Sequence, residues 1–382
     1  MNGAPVNERA ERGSGGSRER GIAGTRERGI AGAGERRNAG AGNAGTRERG
    51  NGKLAEYWTV TATRLGLDVF SLRSQGLSAI EQLDFCAAHG VEVVHFSEPR
   101  LLGSLDADAL RGVKAHAGAL GISLEVGMLS ICPSATIFNA AAGPAEAQLS
   151  NAIDLASTVG SPLVRCVVGS FRDRVLPGGI ERRIADALEV IASVRSRALD
   201  AGVRLAIENH AGDMQARELK ALVEAAGPDV AGVCLDAGNA CWAIEDPRLA
   251  LETLAPYVLT SHCRDTAIRA SASGAEVAWT RMGEGNIDIE GYLDDFRRLC
   301  PGLPVTLEII VMPAPRAVPY RDREFWAGYS QTRAWEFQRF VELVERARPV
   351  PLPEGVVDAA AERAHVEASL EWTRQYLHSR SL

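Results

Sequence analysis

Three short apolar runs in the second half of the chain each end in a residue that can bind a metal ion: Arg204-Leu-Ala-Ile-Glu208, Gly232-Val-Cys-Leu-Asp236 and Val258-Leu-Thr-Ser-His262. A fourth run of the same kind follows at Pro304-Val-Thr-Leu-Glu308. The shorter intervals between the four end residues, 28 and 26 positions, are those of one strand plus one helix. In a barrel of parallel strands, the carboxyl ends of successive strands meet at one mouth. The runs therefore predict strands five to eight of a (β/α)8 barrel, with three carboxylates and one imidazole converging on a site that suits a divalent cation.

Apolar segments separated by helical patterns precede these runs and complete the barrel. Several helical stretches end in a glycine directly before the next apolar segment, at Gly90, Gly121, Gly160 and Gly202. A glycine just past a helix supplies its left-handed cap, so each position predicts a helix-to-strand junction. No GxGxxG motif follows the first strand, which argues against a dinucleotide-binding sheet. The eight strands are predicted near Leu65–Phe70, Val91–Phe96, Ser123–Val126, Leu163–Val168, Arg204–Ile207, Gly232–Leu235, Val258–Ser261 and Val305–Leu307.

The first 53 residues differ in composition from the remainder of the chain. They hold eleven Lys/Arg and six Glu, and Arg18-Glu-Arg-Gly-Ile-Ala-Gly24 recurs at 26–32. With few large apolar residues, such a segment cannot bury enough surface to offset the entropy lost on ordering, so residues 1–53 are predicted to be a disordered tail. The tail is either a dispensable extension or a targeting or tethering segment, and its interspersed glutamates count against the second interpretation.

Two helical segments follow the last predicted strand. An aromatic helix is expected at 325–348, a proline-rich break at 349–353 and a final amphipathic helix at 356–377. The predicted domains are therefore the tail at 1–53, the barrel at 54–348 and a C-terminal helical extension at 349–382. We expect the last helix to pack on the barrel or on a partner subunit, and the second arrangement would make a homodimer.

Composition excludes several classes of protein. The seven cysteines are scattered without a CxxC spacing, which favours reduced thiols in a cytoplasmic protein. No apolar run approaches the roughly 20 residues that span a bilayer, so no membrane association is expected. The tail carries a charge of +5 and the chain as a whole −7, so the body carries −12, which argues against a nucleic-acid partner.

The quoted runs resemble the sugar phosphate isomerase/epimerase superfamily, the xylose isomerase-like TIM barrels that include ketose 3-epimerases, hydroxypyruvate isomerases, inosose dehydratases and endonuclease IV. The resemblance covers roughly residues 63 to 380. It rests on Ala206-Ile-Glu-Asn-His-Ala-Gly212, Cys234-Leu-Asp-Ala-Gly-Asn239, Ser261-His-Cys-Arg-Asp265, Gly283-Glu-Gly285 and Leu307-Glu308. It implies that Glu208, Asp236, His262 and Glu308 bind one divalent metal ion, Mn2+, Mg2+, Co2+ or Zn2+.

The resemblance also implies an activity on a small sugar or sugar-like substrate. We expect a metal-dependent isomerase or epimerase that moves a proton α to a carbonyl through a metal-stabilised enediolate, with Glu208 and Glu308 as the acid and base. The alternatives are a metal-dependent dehydratase of a keto-cyclitol or dehydroshikimate-like substrate, and a non-catalytic sugar-binding barrel. A hydrolase of the endonuclease IV type would need a site richer in histidine.

Four further positions are expected to contact the substrate. His210 lies two residues after Glu208, and Arg264 lies two residues after His262, where many relatives have lysine. Asn239 lies where the ketose 3-epimerases usually have histidine, a departure that puts their substrate contacts in question here. Glu98 follows the second strand. Arg264 could pair with a substrate oxyanion or phosphate, or only with Asp265. The structural alternative is a link between loops for His210 and a surface ion pair for Glu98.

Overall fold

The computed structural model describes residues 63–355 and 357–380, so the predicted tail at 1–53 lies outside the described residues. The strands of the described part are β1 Leu65–Asp68, β2 Val93–Phe96, β3 Ser123–Ser130, β4 Leu163–Val167, β5 Arg204–Glu208, β6 Ala231–Asp236, β7 Val258–His262, β8 Asp265–Ala270, β9 Ala275–Thr280, β10 Val305–Leu307 and β11 Arg316–Val318. Eight of them form one sheet in the order β10-β1-β2-β3-β4-β5-β6-β7, and all neighbours are parallel.

Backbone contacts between β7 and β10 close this sheet. Cys263 N donates to Thr306 O at 2.7 Å, and Glu308 N donates to Cys263 O at 3.1 Å. On the other side of β10, a Cβ at Gly66 would collide with Thr306 Oγ1, so glycine permits the close approach of β1. The predicted (β/α)8 barrel is confirmed.

Eight of the α-helices in the described residues lie between strands along the chain, and two more follow β11. They are α1 Ala79–Ala88, α2 Ala107–Ala119, α3 Ala145–Val159, α4 Gly179–Ala201, α5 Ala216–Ala226, α6 Ala237–Trp242, α7 Pro247–Leu254, α8 Ile289–Leu299, α9 Ala334–Arg346 and α10 Ala359–Ser379. All four predicted glycine caps have the expected positive φ: Gly90 (73°), Gly121 (72°), Gly160 (85°) and Gly202 (65°). The strands are buried on both faces, as in other parallel sheets covered by helices.

A second, antiparallel sheet lies beside the mouth of the barrel. Strands β8, β9 and β11 pair in the order β11-β9-β8. The sequence analysis placed no strand between the seventh and eighth barrel strands. The sheet has its own apolar cluster, in which Trp279 of β9 stacks on Trp242 of α6 with ring centroids 4.1 Å apart.

The C-terminal helix α10 lies against the barrel. Ser369 Oγ accepts a hydrogen bond from Met282 N at 3.1 Å, and Tyr376 Oη donates to Asp294 Oδ1 at 2.6 Å. Glu362 Oε1 accepts from Ser74 N at 2.9 Å. None of the helices in the described ranges combines the length and hydropathy that a membrane crossing needs.

Candidate metal centre at the barrel mouth

Four side chains meet where strands of the second half of the barrel end. Glu208, Asp236 and His262 are the last residues of β5, β6 and β7, and Glu308 directly follows β10. One nitrogen or oxygen atom from each lies within 4.8 Å of the corresponding atoms of the other three. All four side chains are buried, and only Glu308 retains measurable exposure, at 6%. The structure thus brings together the four residues that the sequence placed at successive strand ends.

The distances within this cluster fit a single divalent ion. His262 Nδ1 lies 3.2 Å from Glu208 Oε2 and 3.5 Å from Glu308 Oε2, and this buried nitrogen has no hydrogen bond of acceptable geometry. Nitrogen and oxygen ligands lie about 2.0–2.3 Å from such an ion, so two ligands of one ion are at most about 4.5 Å apart. Atoms that all lie within 4.8 Å of one another can therefore reach one ion with at most a small adjustment. One imidazole with three carboxylates suits Mg2+, Mn2+, Co2+ or Zn2+.

Cys234 offers an alternative ligand atom in the same place. Its sulfur belongs to a second group with Glu208 and His262 that also lies within 4.8 Å. Burial raises the pKa of the Cys234 thiol well above its usual value. Because the thiolate is the form that binds metal, the group with Asp236 and Glu308 is the better donor set.

A buried histidine on the opposite side of the barrel holds His262. His262 Nε2 lies 2.9 Å from Nδ1 of His95 on β2, and Asp68 Oδ2 approaches the same nitrogen to 3.8 Å. Burial, followed by the charges of His262 and Arg165, holds the pKa of His95 well below its usual range, so its ring is neutral and can accept a hydrogen bond. A proton on Nε2 of His262, donated to His95, would leave the Nδ1 lone pair free for a metal ion bound between the carboxylates.

Glu208 is fixed by two donors. Arg165 of β4 donates from Nε to Oε2 at 2.5 Å, and Asn239 donates from Nδ2 to Oε1 at 3.0 Å. Burial alone would raise the pKa of Glu208, but the charges of Arg165 and His262 outweigh burial and hold that pKa well below its usual range. Glu208 is therefore an anion in a fixed orientation.

Asp236 is positioned by its backbone and by its role as a helix cap. The Asn209 side chain accepts from Asp236 N and donates to Asp236 O, each at 2.8 Å. Asp236 Oδ1 caps α6 by accepting from Asn239 N at 2.9 Å. Its other oxygen, Oδ2, accepts from Arg264 Nη2 at 2.5 Å.

The four residues predicted to bind substrate lie in different surroundings in the structure. Asn239 and Arg264 contact the cluster directly, Arg264 through the carboxylates of Asp236 and Glu308. The half-buried His210 ring is tied through Nδ1 to Gly169 O at 2.8 Å, and burial lowers its pKa. Glu98 lies at the rim, where it pairs with Arg100 at 2.5 Å, and it does not join the cluster.

The sequence profile described as xylose isomerase-like TIM barrel matches residues 83–329. The chain belongs to this family. A curated relative of this xylose isomerase-like barrel, the uncharacterized protein YihM of Escherichia coli (strain K12), is 29% identical over 117 residues, which are 30% of this chain and 36% of that protein. The match thus spans about a third of the relative's length.

Solved structures share the fold of this xylose isomerase-like barrel. A D-psicose 3-epimerase from Clostridium cellulolyticum H10, solved with D-tagatose, has a TM-score of 0.56 and 14% identity and covers 82% of this chain and 99% of its own. The IolI protein, solved with a bound zinc atom, has a TM-score of 0.51 and 14% identity and covers 75% of this chain and 100% of its own. Identities this low show a common fold and nothing finer.

Among the residues around the centre, His95, Arg165 and Trp279 were given no role in the site by the sequence analysis. His95 and Arg165 each interrupt an otherwise apolar strand, at Val93–Phe96 and Leu163–Val167. Because ionisable residues are rarely fully buried without a partner, each of them could have been recognised as a residue of a polar site. Trp279, whose ring faces the Arg264 guanidinium at 4.2 Å, belongs to the antiparallel sheet that the sequence analysis did not predict.

Proposed function

We propose that this xylose isomerase-like barrel is a divalent-metal-dependent isomerase or epimerase of a sugar or sugar phosphate, which moves a proton on a carbon α to a carbonyl. The observation that carries the proposal is the convergence of Glu208, Asp236, His262 and Glu308 within 4.8 Å at the barrel mouth. Three buried carboxylates around one imidazole nitrogen would repel one another unless cations compensate them, and a divalent ion provides two charges at once.

Each of the four residues would hold the ion through the atom that already faces the others. His262 would use Nδ1, because its Nε2 is committed to His95. Asp236 would use Oδ2, because Oδ1 caps α6. When bound, the ion supplies positive charge to the substrate oxygens on which negative charge develops during proton removal.

The proton transfers would be made by Glu308 and Glu208. Glu308 has the highest exposure of the four, which makes it the carboxylate nearest to an incoming substrate. Glu208 has donors on both oxygens, Arg165 on Oε2 and Asn239 on Oε1. Asn239 would have to turn away before Oε1 could accept a proton. We therefore assign proton removal from the substrate to Glu308. Glu208 would deliver a proton to the opposite face after Asn239 has turned away and Oε1 has taken up a proton from solvent, and Glu308 would return its proton to solvent when the cycle ends.

The substrate itself would be oriented by the residues around the cluster. Arg264 and Asn239 contact the carboxylates, and the His210 ring is held by the loop after β4. Glu98, paired with Arg100 at the rim, would contact only a substrate long enough to extend beyond the mouth.

Deuterium exchange tests the proposal directly. The Mn2+-loaded protein is incubated in D2O with a panel of ketoses, aldoses and inososes, and the products are followed by proton NMR. We expect deuterium to enter one carbon α to a carbonyl of one substrate class. A product that has lost water would instead identify a dehydratase, and no exchange in any substrate would favour a sugar-binding protein.

Replacing either glutamate separates chemistry from binding. Glu308→Gln and Glu208→Gln keep an oxygen for the ion but cannot accept a proton, so kcat should fall by about 10²–10⁴-fold with little change in KM. Glu146→Gln on the exposed face of α3 is the matched control and should behave as wild type. Wild-type turnover in both site variants would place the proton transfers on other residues.

A further inference from the structure

Arg264 contacts two of the four proposed metal ligands at once. Its side chain is 1% exposed, and its Nη2 atom lies against Glu308 Oε2 and 2.5 Å from Asp236 Oδ2. A divalent ion bound by these carboxylates would lie beside the same two oxygens. Two cations that close together repel strongly where water is excluded. Arg264 and the ion therefore compete for Asp236 and Glu308.

An aromatic surface holds the guanidinium independently of these carboxylates. The Arg264 guanidinium carbon lies 4.2 Å from the centre of the Trp279 ring. Trp279 is itself fixed, because its Nε1 donates to Gly238 O at 3.2 Å and its ring stacks on Trp242. A side chain at Gly238 would collide with Arg264, so glycine leaves the space that the arginine uses. Cation–π attraction would keep the guanidinium beside the site after Nη2 leaves the carboxylates.

Arg264 also has donors that the carboxylates do not use. Nε and Nη1 are buried and have no hydrogen-bond partner. A guanidinium presents five N–H groups in a planar fork that matches the two oxygens of a carboxylate or phosphate. A buried cation with unpaired donors is costly unless a ligand satisfies them.

We propose that Arg264 is an oxyanion receptor whose availability is coupled to metal binding, and that the substrate is accordingly an acidic sugar or a sugar phosphate. The inference rests on the proposed metal site. When the ion takes over Asp236 and Glu308, the guanidinium turns on the Trp279 face and its fork becomes available to a carboxylate or phosphate of the substrate. Metal ion and oxyanion then each strengthen the binding of the other, by the same factor.

Calorimetric titration of the metal-free protein with Mn2+ measures this coupling. The titration is run alone and with saturating glycolate, inorganic phosphate or ethylene glycol. We expect glycolate or phosphate to lower the Kd for Mn2+ by about tenfold, a typical coupling between two sites. Ethylene glycol, which has the size of glycolate but no charge, should leave the Kd unchanged. The more effective of the two anions distinguishes a carboxylate-bearing substrate from a phosphate-bearing one.

Substitution of Arg264 tests whether the arginine weakens or strengthens the binding of Mn2+. Arg264→Met removes the competing cation, so it should bind Mn2+ more tightly than wild type and lose the response to anions. Arg264→Lys serves if that variant does not fold, because it keeps the charge but not the planar fork and should lose most of the anion response. Arg316→Met is the matched control, since Arg316 stacks on Trp242 at 4.8 Å and donates to Trp242 O. It should keep both the Mn2+ affinity and the anion response.

The outcomes separate the two proposals. Failure of the wild-type protein to bind Mn2+ would overturn the metal site and this inference with it. Normal Mn2+ binding combined with weaker binding by Arg264→Met, or with an anion response that persists in Arg264→Met, would overturn the role of Arg264 and leave the metal site intact.

Discussion

The two halves of the barrel are built from the same strand and helix unit, yet their strand ends carry different side chains. The first four strands end in Asp68, Phe96, Ser130 and Val167, whereas the next three end in Glu208, Asp236 and His262, and Glu308 follows the last. The polar residues that the first half adds to the centre come mainly from within its strands. His95 contacts His262, and Arg165 contacts Glu208. The second half presents the candidate ligands, and the first half holds them in place.

The loops of the two halves differ in the same way. Beyond β7 the chain forms the antiparallel sheet, which places Trp279 against Arg264. The loop after β2 instead forms a short 3-10 helix, Pro99–Leu102, with Glu98 paired to Arg100 at its start. A repeated unit can therefore support a site on one side of a barrel because the strand-end residues and loops change while the packing of the strands does not.

The largest effect is expected from breaking the contact between the halves at Arg165. Arg165→Met leaves the buried Glu208 carboxylate without its cationic partner, so the free energy of unfolding of the metal-free protein should fall by about 3–5 kcal/mol. Chemical denaturation measures the change. The double variant Arg165→Met/Glu208→Gln should recover much of the loss, because no unpaired buried charge remains. A single variant as stable as wild type would show that the two halves are not held together by this pair.

The pair of Arg165 and Glu208 also makes the free energy of unfolding depend on pH in a predictable direction. The folded-state pKa of Glu208 lies below its ordinary value of 4.5. The contribution of Glu208 to the free energy of unfolding is therefore fully present above its unfolded-state pKa. This contribution is lost as the pH falls through the lower folded-state pKa. Denaturation of wild type and Arg165→Met across the acid range should show a smaller loss in the variant, and equal acid sensitivity would contradict the assignment.

A smaller effect is expected when support from the first half is removed without changing a ligand. His95→Phe fills a similar volume but cannot accept the Nε2–H of His262, so the affinity for Mn2+ should fall by about 10–100-fold. His116→Gln on α2, where the histidine pairs with Asp84 near the surface, is the control. Unchanged affinity in His95→Phe would mean that Asp68, 3.8 Å from His262 Nε2, fixes the ring instead.

The smallest effect should follow a change in the first half that does not contact the centre. Ser78 caps α1 in a capping box with Glu81. Ser78→Ala should lower the free energy of unfolding by about 1 kcal/mol and leave the affinity for Mn2+ unchanged. A change in metal affinity would show that the helices of the first half help to set the geometry of the mouth.

The barrel was predictable because its signals are local. Apolar runs, four of them preceded by a glycine that caps the helix before, identified all eight strands, and errors at the strand ends have local causes. β1 ends at Asp68 rather than Phe70 because the Asp68 side chain accepts from Phe70 N and begins a 3-10 helix. The aromatic segment predicted as one helix at 325–348 is a 3-10 helix, Arg323–Gly328, followed by α9 at Ala334–Arg346.

The antiparallel sheet and the supporting residues of the centre were harder to predict. β8 and β9 are joined by a tight turn at Ser271-Ala-Ser-Gly274, a hairpin signal that the spacing of the barrel strands obscured. The positions of the four candidate ligands followed from their place at strand ends. The partners of these candidate ligands did not, because the contact between Arg165 and Glu208 depends on which side chains point into the barrel, and sequence spacing does not determine that.

Metal binding to the purified protein tests the central claim most directly. Metal-free wild type titrated with Mn2+ should bind one ion per chain, and Asp236→Asn should bind it at least about 100-fold more weakly, since ligand loss should cost no less than loss of a supporting contact. Asparagine can still cap α6, so the variant removes charge without removing the cap. Asp106→Asn makes the same change at the exposed cap of α2 and should bind as wild type. An absence of binding, or equal binding by Asp236→Asn, would contradict a metal centre at the barrel mouth.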